Sequence, residues 1–281
     1  MLVSVYLATH NRVELLSQAV GSVLQQTYPD IELIVVDDGS TDGTREYLDV
    51  LQARDPRVQV LQNASSLGAP RSRNLAIRAA RGTFITGLDD DDKFHPERIA
   101  ALVDYWQVCG ERHACLYTQD HLIWSHRSRL SRKPDSVSAD ELFYFNSIGN
   151  QVFTRRDFLL SAGLFDEDMP AWQDLDLFIR LLRKFGTAKL LDRGLYYLNL
   201  QPHGARISSG SRQRILNAYA RLTSKYSLPP AMKQGLYLQA FGPLYDARLG
   251  HRDVKEFFSH GVHARPLKRL AGLLVRQAFS A

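Results

Sequence analysis

Four consecutive carboxylates, Asp89, Asp90, Asp91 and Asp92, close the run Gly82-Thr-Phe-Ile-Thr-Gly-Leu. Like charges packed so tightly repel, and burial adds to the cost, so a cation should sit among them. In an extended backbone residues two apart share a face, which lets Asp89 and Asp91 converge while Asp90 faces away. Hard oxygen ligands at that spacing suit Mg²⁺ or Mn²⁺, which keep positions open for water and substrate phosphates. The alternative is a solvated acidic turn leading into a helix at Pro96, and a lone D-x-D triplet does not separate the two. Three other polar clusters punctuate the chain: Thr9-His10-Asn11-Arg12, Asp37-Asp38-Gly39-Ser40-Thr41-Asp42, and Arg71 with Arg73 and Asn74. Further on, Asp174 and Asp176 stand at the head of a helical pattern beginning near Gln173. A helix sets them about 200° apart, so only one can face a pocket. A carboxylate positioned there can take a proton from a hydroxyl. Alternatively, both merely favour the positive end of a helix dipole.

The elements that must carry these groups alternate. Apolar runs at residues 2–8, 31–36, 57–61 and 83–88 read as strands, and helical periodicity fills the intervals between them. Such alternation predicts an α/β fold with a mostly parallel sheet covered by helices on both faces. Ligands collect at the carboxyl ends of strands in these sheets, where Thr9–Arg12, Asp37–Asp38 and Asp89–Asp92 all fall. No G-x-G-x-x-G follows the first strand and no G-x-x-x-x-G-K-[ST] occurs, so a bound diphosphate needs a metal and arginine instead. Gly39 permits a tight turn, and Ser40, Thr41 or Asp42 can cap the helix near Thr44. In the second half the pattern predicts a helix opened by Pro96, a strand at 114–124 and a mobile basic loop at 125–138. A strand at 151–154, a helix opened at 155–157, and strands at 188–191 and 196–200 follow. Beyond Arg212 the pattern is helical, broken by Pro229-Pro230. The last helix, 265–281, carries a stripe of Leu267, Leu270, Ala271, Leu274 and Ala278 flanked by Arg265, Lys268, Arg269 and Arg276. It either lies on a membrane surface or packs on the domain.

These residues resemble family 2 glycosyltransferases. Thr9-His10-Asn11-Arg12 resembles the T-[YH]-N-R that closes that family's first strand, and Val35-Val-Asp-Asp-Gly-Ser-Thr-Asp42 resembles its V-V-D-D-G-S-x-D. Leu67-Gly68 with Arg73-Asn74 is similar to G-x-x-x-A-R-N, with Ser72 in place of alanine, and Leu88-Asp-Asp-Asp-Asp92 to L-D-x-D-D. The four motifs span residues 3–95 in the family's order. Gly163-Leu-Phe-Asp-Glu resembles G-x-F-D-E, and residues 173–180 resemble [ED]-D-x-D-L-x-x-R, with Gln173 where glutamate is usual.

The resemblance implies a GT-A fold, Rossmann-like, with a nucleotide-sugar half at 1–95, an acceptor half at 96–210 and a helical C-terminal extension at 211–281. It implies inverting transfer of a sugar from a nucleotide-diphosphate sugar, a UDP-sugar foremost, to a hydroxyl of a saccharide or lipid-linked acceptor. Asp174 is the implied base. Thr9, Asn11, Arg12, Asp37, Asp38, Arg73, Asp89, Asp90 and Arg206 are implied to bind the donor. Asp91, Asp89 and His203 are implied to hold Mn²⁺ or Mg²⁺. A sugar nucleotidyltransferase should carry a glycine-rich loop after its first strand, which this chain lacks, and a D-x-D-x-T phosphatase would want threonine at Lys93. An inactive nucleotide-sugar-binding module is the remaining alternative, to which Gln173 lends a little support and the intact Asp89, Asp91 and Asp174 none.

Bulk properties fit this class. A length of 281 residues allows one large α/β domain with an appendage, and a net charge of +5 favours anionic partners. No nucleic-acid-binding signature appears. Cys109 and Cys115 make no disulfide framework, and with His113 they match no common zinc spacing. Residues 2–8 are too few for a signal peptide, so a cytoplasmic protein is expected, with a peripheral contact to the inner membrane face through the last helix.

Overall fold

Side-chain alternation along the central strands builds two cores on opposite faces of one sheet. In β1, Val3–Thr9, the side chains of Val3, Val5 and Leu7 join one buried cluster while Tyr6 joins the other. β2, Ile31–Asp37, divides likewise, with Leu33 and Val35 on one face and Ile34 and Val36 on the other. Strands covered on both faces read as continuous apolar runs, which is why these two were legible. Helices α1, Val13–Leu24, and α4, Arg98–Cys109, cover the first face, joined by Leu48 of α2, Thr44–Arg54. The second is covered by α3, Ala69–Ala79, the short α5, Ala139–Leu142, α6, Arg156–Ser161, and α7, Gln173–Phe185. This computed structural model describes residues 1–109, 112–201, 212–241 and 248–279.

The sheet is mostly parallel. β3, Val58–Gln62, then β2, β1 and β4, Phe84–Gly87, lie side by side and parallel, so their carboxyl ends share one rim. β9, Phe153–Arg155, is inserted antiparallel between β4 and β6, Cys115–Trp124. β10, Ala188–Asn199, runs parallel to β6, and β5, Lys93–Phe94, pairs antiparallel with β10 at the edge.

Several predicted elements differ. Residues 125–138 are not one loop: after the turn at Ser125-His126, β7, Arg127–Leu130, pairs back on β6, and β8, Ser136–Val137, pairs with β10, leaving only residues 131–135 between them without regular structure. Its alternating Arg and Ser are compatible with an edge strand whose charges remain in water, a pattern that polarity alone reads as a loop. The two strands predicted at 188–200 are one, with irregular register around Gly194, where a Cβ would lie 2.5 Å from His121 Nε2. The helix expected from Pro96 begins at Arg98, because Pro96 and Glu97 form a turn whose Pro96 carbonyl accepts Thr27 N–H at 2.9 Å. Cys109 and Cys115 are buried free thiols, and burial pushes the Cys115 thiol up, away from reactivity.

Beyond the sheet lie α8, Arg212–Tyr226, α9, Pro230–Gln239, α10, His251–Ser259, and α11, Ala264–Phe279. α11 packs on the second core through Leu267, Leu270 and Leu273, while Arg269 donates to the Tyr144 carbonyl and Arg265 stacks on the Tyr144 ring. The predicted stripe is thus split: Leu270 is buried, whereas Ala271, Leu274 and Ala278 remain exposed, as does Val275 beside them. Packing on the domain decides the first of those halves. No described helix is long and apolar enough to cross a membrane.

Candidate functional site

The rim of β1 and β2 is built from turns that hold one another. Asn11, at φ 53°, accepts Thr41 N–H on its Oδ1 at 2.7 Å and gives its own N–H to Ser40 Oγ at 2.9 Å. Asp42 accepts Thr44 N–H and Val13 N–H, both at 3.1 Å, linking the starts of α1 and α2. Asp37 accepts Ser40 N–H at 3.0 Å. Gly39 sits at φ 76°, and a Cβ there would lie 2.9 Å from the Ser65 backbone, so the turn requires glycine.

Asp38 is saturated from within the chain. One oxygen accepts from Asn63 Nδ2, Leu67 N–H and Ser72 Oγ at 2.7, 2.9 and 2.8 Å. The other accepts from Ser66 Oγ at 2.7 Å and Gly68 N–H at 2.8 Å. Burial would raise its pKa, but the bonds from Leu67, Ser66, Asn63 and Gly68 outweigh that and hold it at about 2. Asp38 therefore shapes the 63–72 loop. Ser72, which stands where the resembled family has alanine, is one of its anchors.

The acidic stretch turns where extended backbone was expected: Asp92 N–H bonds Asp89 O at 3.1 Å. Its side chains therefore pair differently. Asp90 does not face away; it shares Arg12 Nη1 with Asp91, at 3.0 and 3.3 Å, and accepts Thr9 Oγ1 at 2.9 Å. Asp89 and Asp92 share Asn150 Nδ2, at 2.6 and 3.2 Å. Asp92 also accepts Tyr196 OH at 2.7 Å and Asn199 N–H at 2.8 Å. Burial above all pushes Asp90 up to about 6, with Arg12 pulling down and Asp91 pushing further up. Asp92 lies well above the usual carboxylate range through burial and the charges of Asp89 and Asp91.

Arg73 bridges this turn to α7. Its neighbour Asn74 clasps Phe165 through both backbone groups at 2.9 Å, fixing an aromatic ring whose centroid lies 5.4 Å from the Arg73 guanidinium. Arg73 Nη2 bonds Asp89 at 2.8 Å, and Nη1 lies 3.5 Å from Asp174. Burial alone would lower the arginine's pKa, but the two carboxylates outweigh it. Crowding by protein atoms pushes Asp174 up to about 6 against the downward pull of Arg73. Its side chain is still 27 % exposed, so the carboxylate can meet a ligand. Asp176 is 0 % exposed and held by Arg180 at 2.9 Å, Lys225 at 2.8 Å and Tyr226 OH at 2.8 Å. The helix separates the two carboxylates as its geometry demands, with Asp174 toward the acidic turn and Asp176 toward α8. Asp166 pairs with Arg221 and Glu167 with Arg71, so neither stands beside Asp174 at Arg73.

Four groups that sequence spacing missed complete the site. Gln151 donates to Asp89 at 3.0 Å while accepting Tyr6 OH at 3.1 Å. It fits only because position 87 is glycine: a Cβ there would fall 1.9 Å from Gln151 Oε1. Asn150, Tyr196 and Asn199 act as described. The one sequence signal was the polar Asn150 and Gln151 at the head of the strand expected at 151–154. His203 and Arg206 lie outside the described residues.

As they stand, no three His, Cys, Asp or Glu side chains among the described residues gather to hold a metal. The donor chemistry nonetheless fits a hard divalent ion. The turn offers carboxylate oxygens, and burial, followed by the charges of Asp89 and Asp91, raises Asp92, a cost that a bound cation would relieve. Mg²⁺ in particular commonly takes one or two carboxylates and completes its shell with water and phosphate.

The chain is similar to known proteins. The family model described as glycosyl transferase family 2 matches residues 4–159. A protein of Escherichia coli K12 described as a colanic acid biosynthesis glycosyl transferase is 35% identical over 217 residues, which are 75% of this chain and 77% of that protein. The structure of Staphylococcus aureus TarS 1–349 with UDP-GlcNAc superposes with a TM-score of 0.68 at 18% identity, covering 92% of this chain and 79% of that one. The mannosyltransferase PcManGT from Pyrobaculum calidifontis, with GDP-Man and Mn²⁺, gives 0.65 at 17% identity, covering 96% and 78%. At these identities the two structures speak for the fold, which is GT-A.

Proposed function

Because the chain belongs to glycosyl transferase family 2 and is a glycosyltransferase using a nucleotide-sugar donor, we propose that it moves one sugar, from a UDP-sugar foremost, to a hydroxyl of a saccharide or lipid-linked saccharide. Transfer is a single displacement with inversion, assisted by Mn²⁺ or Mg²⁺. The observation that carries this reading is the Arg73 guanidinium, which joins Asp89 of the acidic turn to Asp174 at the head of α7.

In this reading residues 1–95 form the nucleotide-sugar half, 96–210 the acceptor half and 211–281 the extension. Arg12 and Arg73 supply the positive charge that a diphosphate needs where no glycine loop cradles it. Thr9, Asn11 and Asp37 border the base and ribose, Asp38 holds the 63–72 loop beside them, and by the family's pattern Arg206 would contact the diphosphate. Asp89 and Asp91, with His203, would hold the divalent ion, which when bound neutralises charge developing on the leaving diphosphate. Asn150 and Gln151 hold Asp89 from the other side. Asp174 accepts the proton of the attacking hydroxyl. With its carboxyl at about 6, it is ionised at neutral pH and more basic than an ordinary aspartate.

The outer face of α11, with exposed Leu274 and Val275, supports a peripheral contact with anionic membrane where lipid-linked acceptors reside. Leu274→Asp with Val275→Asp should release the chain from anionic vesicles without unfolding it. For the donor, calorimetry and thermal shift with UDP-, GDP- and dTDP-sugars in Mn²⁺ are the direct test. A ligand at ~100 times its Kd stabilises by ~2.7 kcal/mol. A chain that responds to none of these donors and transfers no sugar does not have this function.

A further inference from the structure

Residues 121–134 carry four cations, Arg127, Arg129, Arg132 and Lys133, and no acid. They form part of the β6–β7 hairpin, in which Trp124 lies opposite Arg127 and Leu122 opposite Arg129. Cross-strand partners share a face, so Leu122 and Trp124 form an apolar floor beside two guanidiniums. The Arg127 guanidinium lies 4.5 Å from the centre of the Trp124 ring. Lys133 is engaged internally, with Asp120 at 2.7 Å and the Ile148 carbonyl at 2.8 Å. The three arginines are exposed and, among the described residues, meet no carboxylate. Other exposed arginines divide: Arg81 meets Glu32, Arg193 meets Glu97 and Arg221 meets Asp166, whereas Arg45 and Arg54 of α2 and Arg78 of α3 meet no carboxylate among the described residues. What sets the hairpin apart is therefore its two arginines side by side on an apolar floor.

Charge on an edge strand can serve merely to block pairing with other chains, and lysine does that at least as well. Arginine's planar fork adds something lysine lacks, which is two parallel hydrogen bonds to one carboxylate. The hairpin is also placed for use. The last residue of β10, Asn199, pairs with Ile123 of the hairpin while its N–H bonds Asp92 at 2.8 Å. Leu200 N–H then bonds the Ile123 carbonyl at 2.7 Å. The ribbon therefore leaves the sheet beside the acidic turn, on the β9–β10 side and away from the turns that hold Asn11 and Asp37.

From this juxtaposition we infer that the hairpin docks an acidic saccharide acceptor: Arg127 and Arg129 take carboxylates of the glycan beside the apolar floor of Leu122 and Trp124. The inference rests on the saccharide-transfer reading and narrows its acceptor class to carboxylate-bearing glycans. A membrane or nucleic acid would also answer to positive charge. The apolar floor flanked by forked donors, at the acceptor side of the site, favours a sugar chain.

The test uses the full chain with hexagalacturonate as probe, maltohexaose as its neutral counterpart and phosphatidylglycerol vesicles as a competing polyanion. Hexagalacturonate should bind at least about tenfold more tightly than maltohexaose and weaken as salt screens the charges. Arg127→Ala with Arg129→Ala should lose about tenfold in that affinity, and the corresponding double lysine variant part of it. UDP affinity should be unchanged in both variants, which shows that they fold. The inference is overturned if hexagalacturonate fails to bind, if maltohexaose binds equally well, if the double alanine variant binds as wild type, or if vesicles displace the glycan. Should the transfer reading be what fails, wild type would not bind UDP-sugars, while arginine-dependent glycan binding would persist.

Discussion

The two sides of the sheet build one site by different means. On the β1–β4 side, polar groups are held within or between turns that lie next to one another: Asp37 by Ser40, Asn11 by Thr41, Asp38 by residues 63–72. On the β9–β10 side, the groups arrive from far along the chain. Gln151 meets Tyr6 145 positions away, and Tyr196 meets Asp92 104 positions away. Turns that satisfy themselves leave short motifs, because a fixed backbone shape demands fixed residue types at fixed spacing. Contacts made through tertiary packing leave none.

Mutation can break this comparison at either side. The largest effect belongs to the acidic turn. Asp91→Ala should reduce transfer by roughly 10³-fold, as expected for losing several kcal/mol of charge stabilisation. It should also make nucleotide binding insensitive to EDTA. Nucleotide affinity that already ignores EDTA in wild type would contradict a metal role for Asp91. Next comes the distant support. Asn150→Ala or Gln151→Ala should lower transfer or metal affinity 10- to 100-fold, by analogy with partners that orient metal ligands. If both variants behave as wild type, the β9 side only packs against the turn.

Asp176→Asn should act on stability alone. It breaks a buried ionic cluster with Arg180 and Lys225, an effect of about 3 kcal/mol, so Tm falls by roughly 6–10 °C while transfer at lower temperature is retained. The smallest effect is in pH dependence, where Asp38 and Asp174 act with opposite sign. Asp38, depressed to about 2, contributes stability above its unfolded pKa near ~4 that is lost as pH falls toward ~2. Asp174, raised to about 6, favours the fold when protonated, so its contribution is lost as pH rises from ~4 to ~6. Acid unfolding of Asp38→Asn and Asp174→Asn against wild type separates the two.

Most of the first half was legible in the sequence. The four leading strands, the rim position of the polar clusters and the opposition of Asp174 to Asp176 follow from periodicity and helix geometry alone. The acidic stretch was misread in one respect. It turns where extended backbone was assumed, so Asp90 joins Asp91 on Arg12. The five donors that converge on Asp38 were not legible, because spacing cannot reveal partners drawn from residues 63–72. The β7 hairpin read as a loop because its arginines mask a strand. Asn150, Gln151 and Asn199 had no motif to announce them, since their partners are fixed only once β9 and β10 are packed.

The central assignment is Asp174 as the base, and one paired measurement addresses it: donor binding and transfer rate of Asp174→Asn across pH. The substitution keeps size and polarity while removing the proton acceptor. Donor affinity should match wild type, and transfer should fall 10²- to 10⁴-fold. The rise in wild-type rate through pH ~6 should vanish, because the group titrating there is gone. A variant that transfers at the wild-type rate, or keeps the same pH profile, would contradict the assignment.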